Sequence, residues 1–368
     1  MGTELRRIAI NTGGGDAPGL NAVIQAAVYA AHERGWEIVG IRDGYDGLLE
    51  PESYPEGGLV TLTPASVESI AHLGGTILGT TNRGNPFHRP TLQPDGSLRE
   101  VDRSGDLLDA FRRERFDALI AVGGDGSLTI AQGLHERGLR VVGVPKTIDN
   151  DLDATTLTFG FQSAVAFATE CIDRLHATAH AHRRTMVVEV MGRHAGWIAL
   201  NCGVAGLADV ILIPEIPFDL ERVAAHLRAR SARGKHYAIV VVAEGAHPVG
   251  GEALVQSREM GRADRLGGIG ERVAEELQER TGRESRAVVF GHLLRGGSPI
   301  ALDRILGLGF GTAAVRALAE GLDGVMVAVN PPRIDYVPLR RAVERMKLVP
   351  LDSETMLTAR SLGIAFGD

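Results

Sequence analysis

The sequence predicts an α/β fold, with a mostly parallel sheet covered by helices on both faces, and three observations support this. Short apolar runs of strand length alternate with longer apolar runs at helical spacing. Glycine-rich loops follow the short runs directly, where open parallel sheets gather their ligands. The chain has 368 residues, 44% apolar and 23% charged, enough for two domains with real cores or one large α/β unit.

In chain order, RRIAINT (6–12) reads as a short buried strand, and GGGDAPG (13–19) follows it. From there Leu20, Val23, Ile24, Ala27, Val28 and Ala31 recur at helical spacing, and WEIVGI (36–41) is a second strand. The grammar repeats with FDALIAV (116–122), GGDGS (123–127), a helical run and LRVVGV (139–144). Both units pass from helix to strand through His-Glu-Arg-Gly, at 32–35 and 135–138, a weak internal echo. Residues 159–179 are helical, with Val165, Ala168, Cys171, Ile172 and Leu175 on one face. TMVVEVM, DVILIPEI, YAIVVVAEG, RAVVFGHL and GVMVAV are further strands, with helix-like runs between them. Residues 82–98 and 247–266 read as exposed excursions.

Composition narrows the function. A net charge of −7 argues against general nucleic-acid binding, which needs a basic surface. Cys171 and Cys202 form neither a metal spacing nor a disulfide framework, which fits a reducing cytoplasm. The N-terminal apolar run is too short for a signal peptide, and Arg6 stands where a myristoylation signal needs Ser or Thr. No stretch approaches the ~18 uninterrupted apolar residues of a membrane span.

The chemistry-bearing residues lie in six loops, each after a strand: GGGDAPG, GGDGS, PKTIDND, MGRHAG, AEGA and GHLLRGG. Placed at strand carboxyl ends, all six can line one crevice. Glycine lets backbone approach a phosphate closely, and N–H groups at the following helix start favour anions. Neither glycine loop is a Walker A, and neither matches G-x-G-x-x-G, because Pro18 takes the third position. Either could be a tight strand–helix turn; an aspartate in each favours phosphate binding. Asp125 suits Mg²⁺ beside phosphates, with a helix cap as the bland alternative, and Asp16 is read as structural. Arg193 and Arg295, with His292 nearby, lie inside strand-end loops, where guanidinium forks bind phosphate. Arg184 and Arg286 precede the strands they introduce. His176, His180 and His182 do not share a helix face with a completing ligand, so they are not read as a metal site. In VPKTIDNDLD three aspartates alternate after an apolar run: Asp149, Asp151 and Asp153. Such a loop either performs chemistry or is a solvated turn.

Taken together, GGDAPG, GGDGS, TIDND, VVEVMGR, AEG and GHLLRGGSP resemble the phosphofructokinases, in that family's order, from about residue 6 to residue 316. The resemblance implies two similarly layered α/β lobes with the active site in the cleft between them. Residues 1–160 plus about 296–345 would form the nucleotide lobe, and about 161–295 plus 346–368 the sugar-phosphate lobe. It implies ATP-dependent phosphorylation of fructose 6-phosphate with Mg²⁺, in a cytoplasmic glycolytic enzyme. Asp149 would be the general base, flanked by Thr147 and Asp151. Asp125 would hold Mg²⁺; Gly15, Gly124, Gly126 and Ser127 would line the nucleotide phosphates, and Arg83 would reach them. Met191, Gly192 and Arg193 would meet the sugar phosphate, and Glu244, His292 and Arg295 would complete the sugar site. Arg184 and Arg286 would cross from a neighbouring subunit, implying a homodimer or homotetramer with shared active sites.

Departures from the family pattern bear on donor and regulation. Pyrophosphate users of the family usually carry an acidic residue where Gly126 stands; Lys146 is found in pyrophosphate users and in some ATP users. The resemblance therefore leaves the pyrophosphate-dependent enzyme as the alternative, with Gly126 favouring ATP. Gln25 and His176 stand where regulated members carry effector-binding arginines. A dinucleotide-binding oxidoreductase is disfavoured by the failed G-x-G-x-x-G pattern. A non-catalytic nucleotide sensor is disfavoured by the retention of Asp149.

Overall fold

The computed structural model describes residues 5–93, 95–257 and 265–368. Eleven strands build its two main sheets: β1 (Arg7–Thr12), β2 (Glu37–Ile41), β3 (Leu59–Leu62), β4 (Ala118–Gly123), β5 (Val141–Thr147), β6 (Thr185–Val190), β7 (Val210–Leu212), β8 (Ala238–Ala243), β9 (Ser285–Val289), β10 (Val325–Asn330) and β11 (Arg333–Pro338). The larger sheet has the order β11-β10-β5-β4-β1-β2-β3, with Phe159–Gly160 adding to the end of β5. Its five inner strands are parallel; β3 and β11 close the two edges antiparallel. The smaller sheet, β7-β8-β6-β9, is wholly parallel.

Each strand feeds two cores because successive side chains point to opposite faces. In β1, Ile8 and Ile10 enter one cluster and Ala9 the other. In β8, Ile239 and Val241 pack on one side of the smaller sheet, Val240 and Val242 on the other. The six positions expected on the first helix are all buried in the observed Leu20–His32 helix. That helix packs along Ala301–Ala319, and Gly311 lies against the backbone of Val23, where any side chain would clash. Residues 159–179 form the longer Phe161–His182 helix. Val165, Ala168 and Ile172 are buried there as expected, while Cys171 and Leu175 pack only partly on the same core. No helix among the described residues is long and apolar enough to cross a membrane.

Several expectations need correction. Arg286 does not precede its strand; it is the second residue of β9. The excursion at 82–98 contains the first strand and part of the second strand of a small hairpin, Arg89–Leu92 with Leu98–Val101. In the second excursion Val255–Ser257 pairs with Arg265–Leu266, and residues 258–264 lie outside the described residues. Edge strands β3 and β11 were not expected. β3 is only four residues long with one buried position, and β11 mixes exposed charged residues with half-buried apolar ones, so neither carries the long apolar signature of buried parallel strands.

Candidate active site

All six strand-end loops converge where the carboxyl ends of the two sheets face each other. After β1, Gly13 lies on the Ser127 side chain; a Cβ there would come within 2.8 Å of Ser127 Oγ. This interlocks the two glycine loops. Lys146, at the end of β5, is 3% exposed and donates its ammonium to the Gly15 carbonyl. From after β9, Arg295 donates to the Asp16 carbonyl at 3.0 Å. Its guanidinium rests so closely on Gly15 that a Cβ there would lie 2.7 Å from Nη1. A side chain at Gly15 would have to push the Arg295 guanidinium aside.

The aspartate loop follows β5. Asp149 receives its backbone order from Thr147, whose Oγ1 accepts the Asp149 N–H at 3.1 Å. One carboxylate oxygen of Asp149 and one of Asp151 are hidden from solvent with no protein hydrogen bond. Burial, and then the neighbouring Asp151, push the Asp149 carboxyl well above the usual carboxylate range; Arg295 and Lys146 oppose the shift. Burial and Arg295 pull the Lys146 ammonium down to about 7, against Asp16, Asp151 and Asp149. Groups this buried keep their charge only beside a compensating partner, so the site is poised to take up charged substrate.

Asp125 opens the Asp125–Glu136 helix. Burial, then Asp151, raise its carboxyl, with His194 opposing. Across the cleft, Met191 and Gly192 follow β6 and are buried, and Arg193 lies half-buried. Glu244 follows β8. Burial raises its carboxyl and Arg193 lowers it, with Glu189 and Arg295 acting more weakly. Gly245 fits directly under the Arg193 carbonyl. Gly126, by contrast, faces open space, with nothing within 4 Å of a Cβ. The Arg83 loop joins the first glycine loop: Thr81 accepts the Gly14 N–H at 3.2 Å and Thr80 donates to the Gly14 carbonyl at 2.6 Å. His292 is exposed in the Gly291–Arg295 turn.

Three expected residues stand apart. Asp153 does not join its neighbours; it is paired with Arg345 at 2.6 Å. Arg184 and Arg286 sit at the amino ends of β6 and β9, the far end from this chain's own cleft, and share Glu284 at 2.8 and 2.6 Å. Two residues near the site were missed. His194 sits inside MGRHAG, a motif already singled out, and its charge environment includes Asp125 and Asp151. Lys347, which bonds the aspartate loop, has no motif to announce it.

A family model described as phosphofructokinase matches residues 7–318. The chain belongs to the phosphofructokinase family. A protein of Chloroflexus aggregans named ATP-dependent 6-phosphofructokinase is 51% identical over 100% of this chain and 99% of its own length. An Amycolatopsis methanolica protein named pyrophosphate–fructose 6-phosphate 1-phosphotransferase is 50% identical over 94% of this chain and 96% of its own. Among solved structures, Pichia pastoris phosphofructokinase in the T-state superposes with a TM-score of 0.77 at 31% identity, over 94% of this chain and 36% of the other. A pyrophosphate-dependent phosphofructokinase from Marinobacter aquaeolei shares the fold, with a TM-score of 0.78 at 21% identity.

Proposed function

We propose that this chain transfers the terminal phosphoryl group of ATP to the 1-hydroxyl of fructose 6-phosphate, as an ATP-dependent 6-phosphofructokinase. The observation that carries the reading is the unpartnered, buried Asp149 oxygen held between Lys146, Arg295 and Asp151. A carboxylate with a raised proton affinity and no protein partner suits a general base. Asp149 takes the hydroxyl proton as the sugar oxygen bonds to the phosphorus, and the bond to the bridging oxygen breaks to release ADP. Little covalent chemistry is left to the protein, so positioning and charge neutralisation do most of the work. Thr147 and Asp151 hold the reacting groups; Arg193 and Met191 with Gly192 take the sugar phosphate; Glu244, His292 and Arg295 complete the sugar site.

The donor phosphates would lie along Gly15, Gly124, Gly126 and Ser127, within reach of Arg83. Mg²⁺ would fit the hard oxygen ligands that Asp125 offers beside Asp151. Bound there, the ion would neutralise phosphate charge. Residues 1–160 with about 296–345 would be the nucleotide lobe and the remainder the sugar lobe, in a cytoplasmic enzyme. Arg184 and Arg286 would serve a neighbouring subunit's sugar phosphate, because they lie at the wrong end of their sheet to serve their own.

Pyrophosphate is the second reading, favoured by Lys146, whose ammonium lies beside Gly15. The open space at Gly126 supports ATP, since the rest of a nucleotide can pass there. The relatives named for ATP, 43–51% identical, support it too. One coupled assay tests the choice: kcat/KM should be far higher with ATP than with pyrophosphate, and Gly126→Asp should abolish ATP use. Efficient pyrophosphate use by the unaltered chain would instead make Lys146 the better guide.

A further inference from the structure

Residues 345–349 lie beyond the family-matched span of 7–318, yet they form a strap across the aspartate loop. Met346 bridges Leu152 antiparallel, Arg345 pairs with Asp153, and the Lys347 N–H donates to the Asp151 carbonyl at 2.8 Å. The Lys347 ammonium then turns under the loop. It donates to Asn150 Oδ1 at 3.2 Å and to the carbonyls of Thr155 and Thr156 at 3.0 and 2.7 Å. Those three acceptors match its three protons.

Asn150 explains why this matters. It sits between Asp149 and Asp151 with φ of 52°, a left-handed conformation that asparagine tolerates better than most residues. Its side-chain oxygen also accepts the Thr158 N–H at 3.2 Å. The residue is 3% exposed and its side chain is bound by the strap, while an oxygen of each flanking aspartate is left without a protein partner. The same strap reaches the opposite loop. Trp197 Nε1 donates to the Lys347 carbonyl at 2.8 Å, and Glu215 accepts both Val349 N–H and Gly196 N–H. Gly196 and Trp197 follow Arg193 and His194 after one residue, Ala195. One short segment thus anchors the loops on both sides of the cleft.

We propose that Lys347 is a positioning residue for the reaction, holding Asn150 so that Asp149 and Asp151 stay aimed into the cleft. The proposal rests on the functional reading above for what Asp149 does, but not for what Lys347 holds. The test compares Lys347→Met, which keeps length without charge, with Lys347→Arg, which keeps charge and donors. A loop misplaced by about an ångström costs on the order of 10²-fold. Lys347→Met should therefore lower kcat by about 10–100-fold, with KM for both substrates moving far less, and Lys347→Arg should recover part of the loss. Amide exchange of residues 149–156 in the ligand-free chain should quicken in Lys347→Met. That readout needs no substrate, so it stands even if fructose 6-phosphate proves to be the wrong acceptor. If Lys347→Met does not fold, Lys347→Gln takes its place in both measurements. Unchanged kcat and unchanged exchange, or an arginine variant no better than methionine, would overturn the proposal.

Discussion

The two ends of the smaller sheet handle charge in opposite ways. At the carboxyl end, Arg193 and Glu244 are half-buried, Met191 and Gly192 are buried, and the nearby Asp149 and Asp151 keep unpartnered oxygens. At the amino end, Arg184 and Arg286 close on a single exposed-side carboxylate, Glu284. The first end leaves two aspartate oxygens without a protein hydrogen bond, which a ligand can supply. The second end is satisfied within the chain, but two guanidinium groups on one carboxylate leave positive charge to spare. A single set of strands thus supplies this chain's own cleft and, on the proposed reading, its neighbour's.

The largest effect that would break this contrast is at the base. Asp149→Asn should lower kcat by roughly 10²–10⁴-fold with lesser change in substrate binding. Near-normal turnover in a steady-state assay would remove the carboxyl end's claim to the chemistry. Next in size is the amino end. Arg286→Ala should raise KM for fructose 6-phosphate by about 10–100-fold, the usual worth of charge-assisted hydrogen bonds. Mixed with Asp149→Asn, dissociated and reassociated, it should yield hybrids more active than either parent. Full activity in a demonstrated monomer would show that the amino-end arginines serve no neighbour.

Regulation offers a smaller effect. His176 is bonded to the Gly206 carbonyl at 2.7 Å and packs edge-on to Tyr237, while Gln25 accepts the Ala71 N–H. Neither brings fixed positive charge, so ADP or phosphoenolpyruvate should barely shift the fructose 6-phosphate saturation curve. A large saturable shift would contradict this. Smallest is the stability carried by Glu284. Its hydrogen bond from Arg184 holds the carboxyl below the usual range. The unfolded chain therefore takes up that proton first as pH falls, and the stabilisation is present above the ordinary glutamate value and lost below the folded one. Melting curves of Glu284→Gln and the unaltered chain should differ slightly at pH 7, and the difference should shrink as pH falls below the ordinary glutamate value.

The contrast was only partly legible in the sequence. The carboxyl-end loops were readable because each couples an apolar strand to residues costly to bury, such as Asp149 or Arg193, and such residues need a reason. Arg286 was placed before its strand because a charged residue inside an apolar run looks like a boundary; on an edge strand it simply points outward. Asp153 was grouped with Asp149 and Asp151 by alternation alone. The left-handed turn at Asn150 and the pull of Arg345 break that alternation, and both depend on partners nearly 200 residues away. Lys347 was invisible for the same reason: an ammonium that bonds carbonyls carries no pattern in its own neighbourhood.

Gly15 and Gly126 differ in their surroundings, and so in what a side chain at each would do. Gly15 lies under Arg295 and cannot gain even a methyl group without moving it. Gly126 opens on empty space. A side chain at 15 therefore has to displace the Arg295 guanidinium, which bonds the Asp16 carbonyl. A Cβ at 126 meets nothing within 4 Å, so on the proposed reading a change to aspartate alters the shape offered to the donor while leaving the scaffold alone.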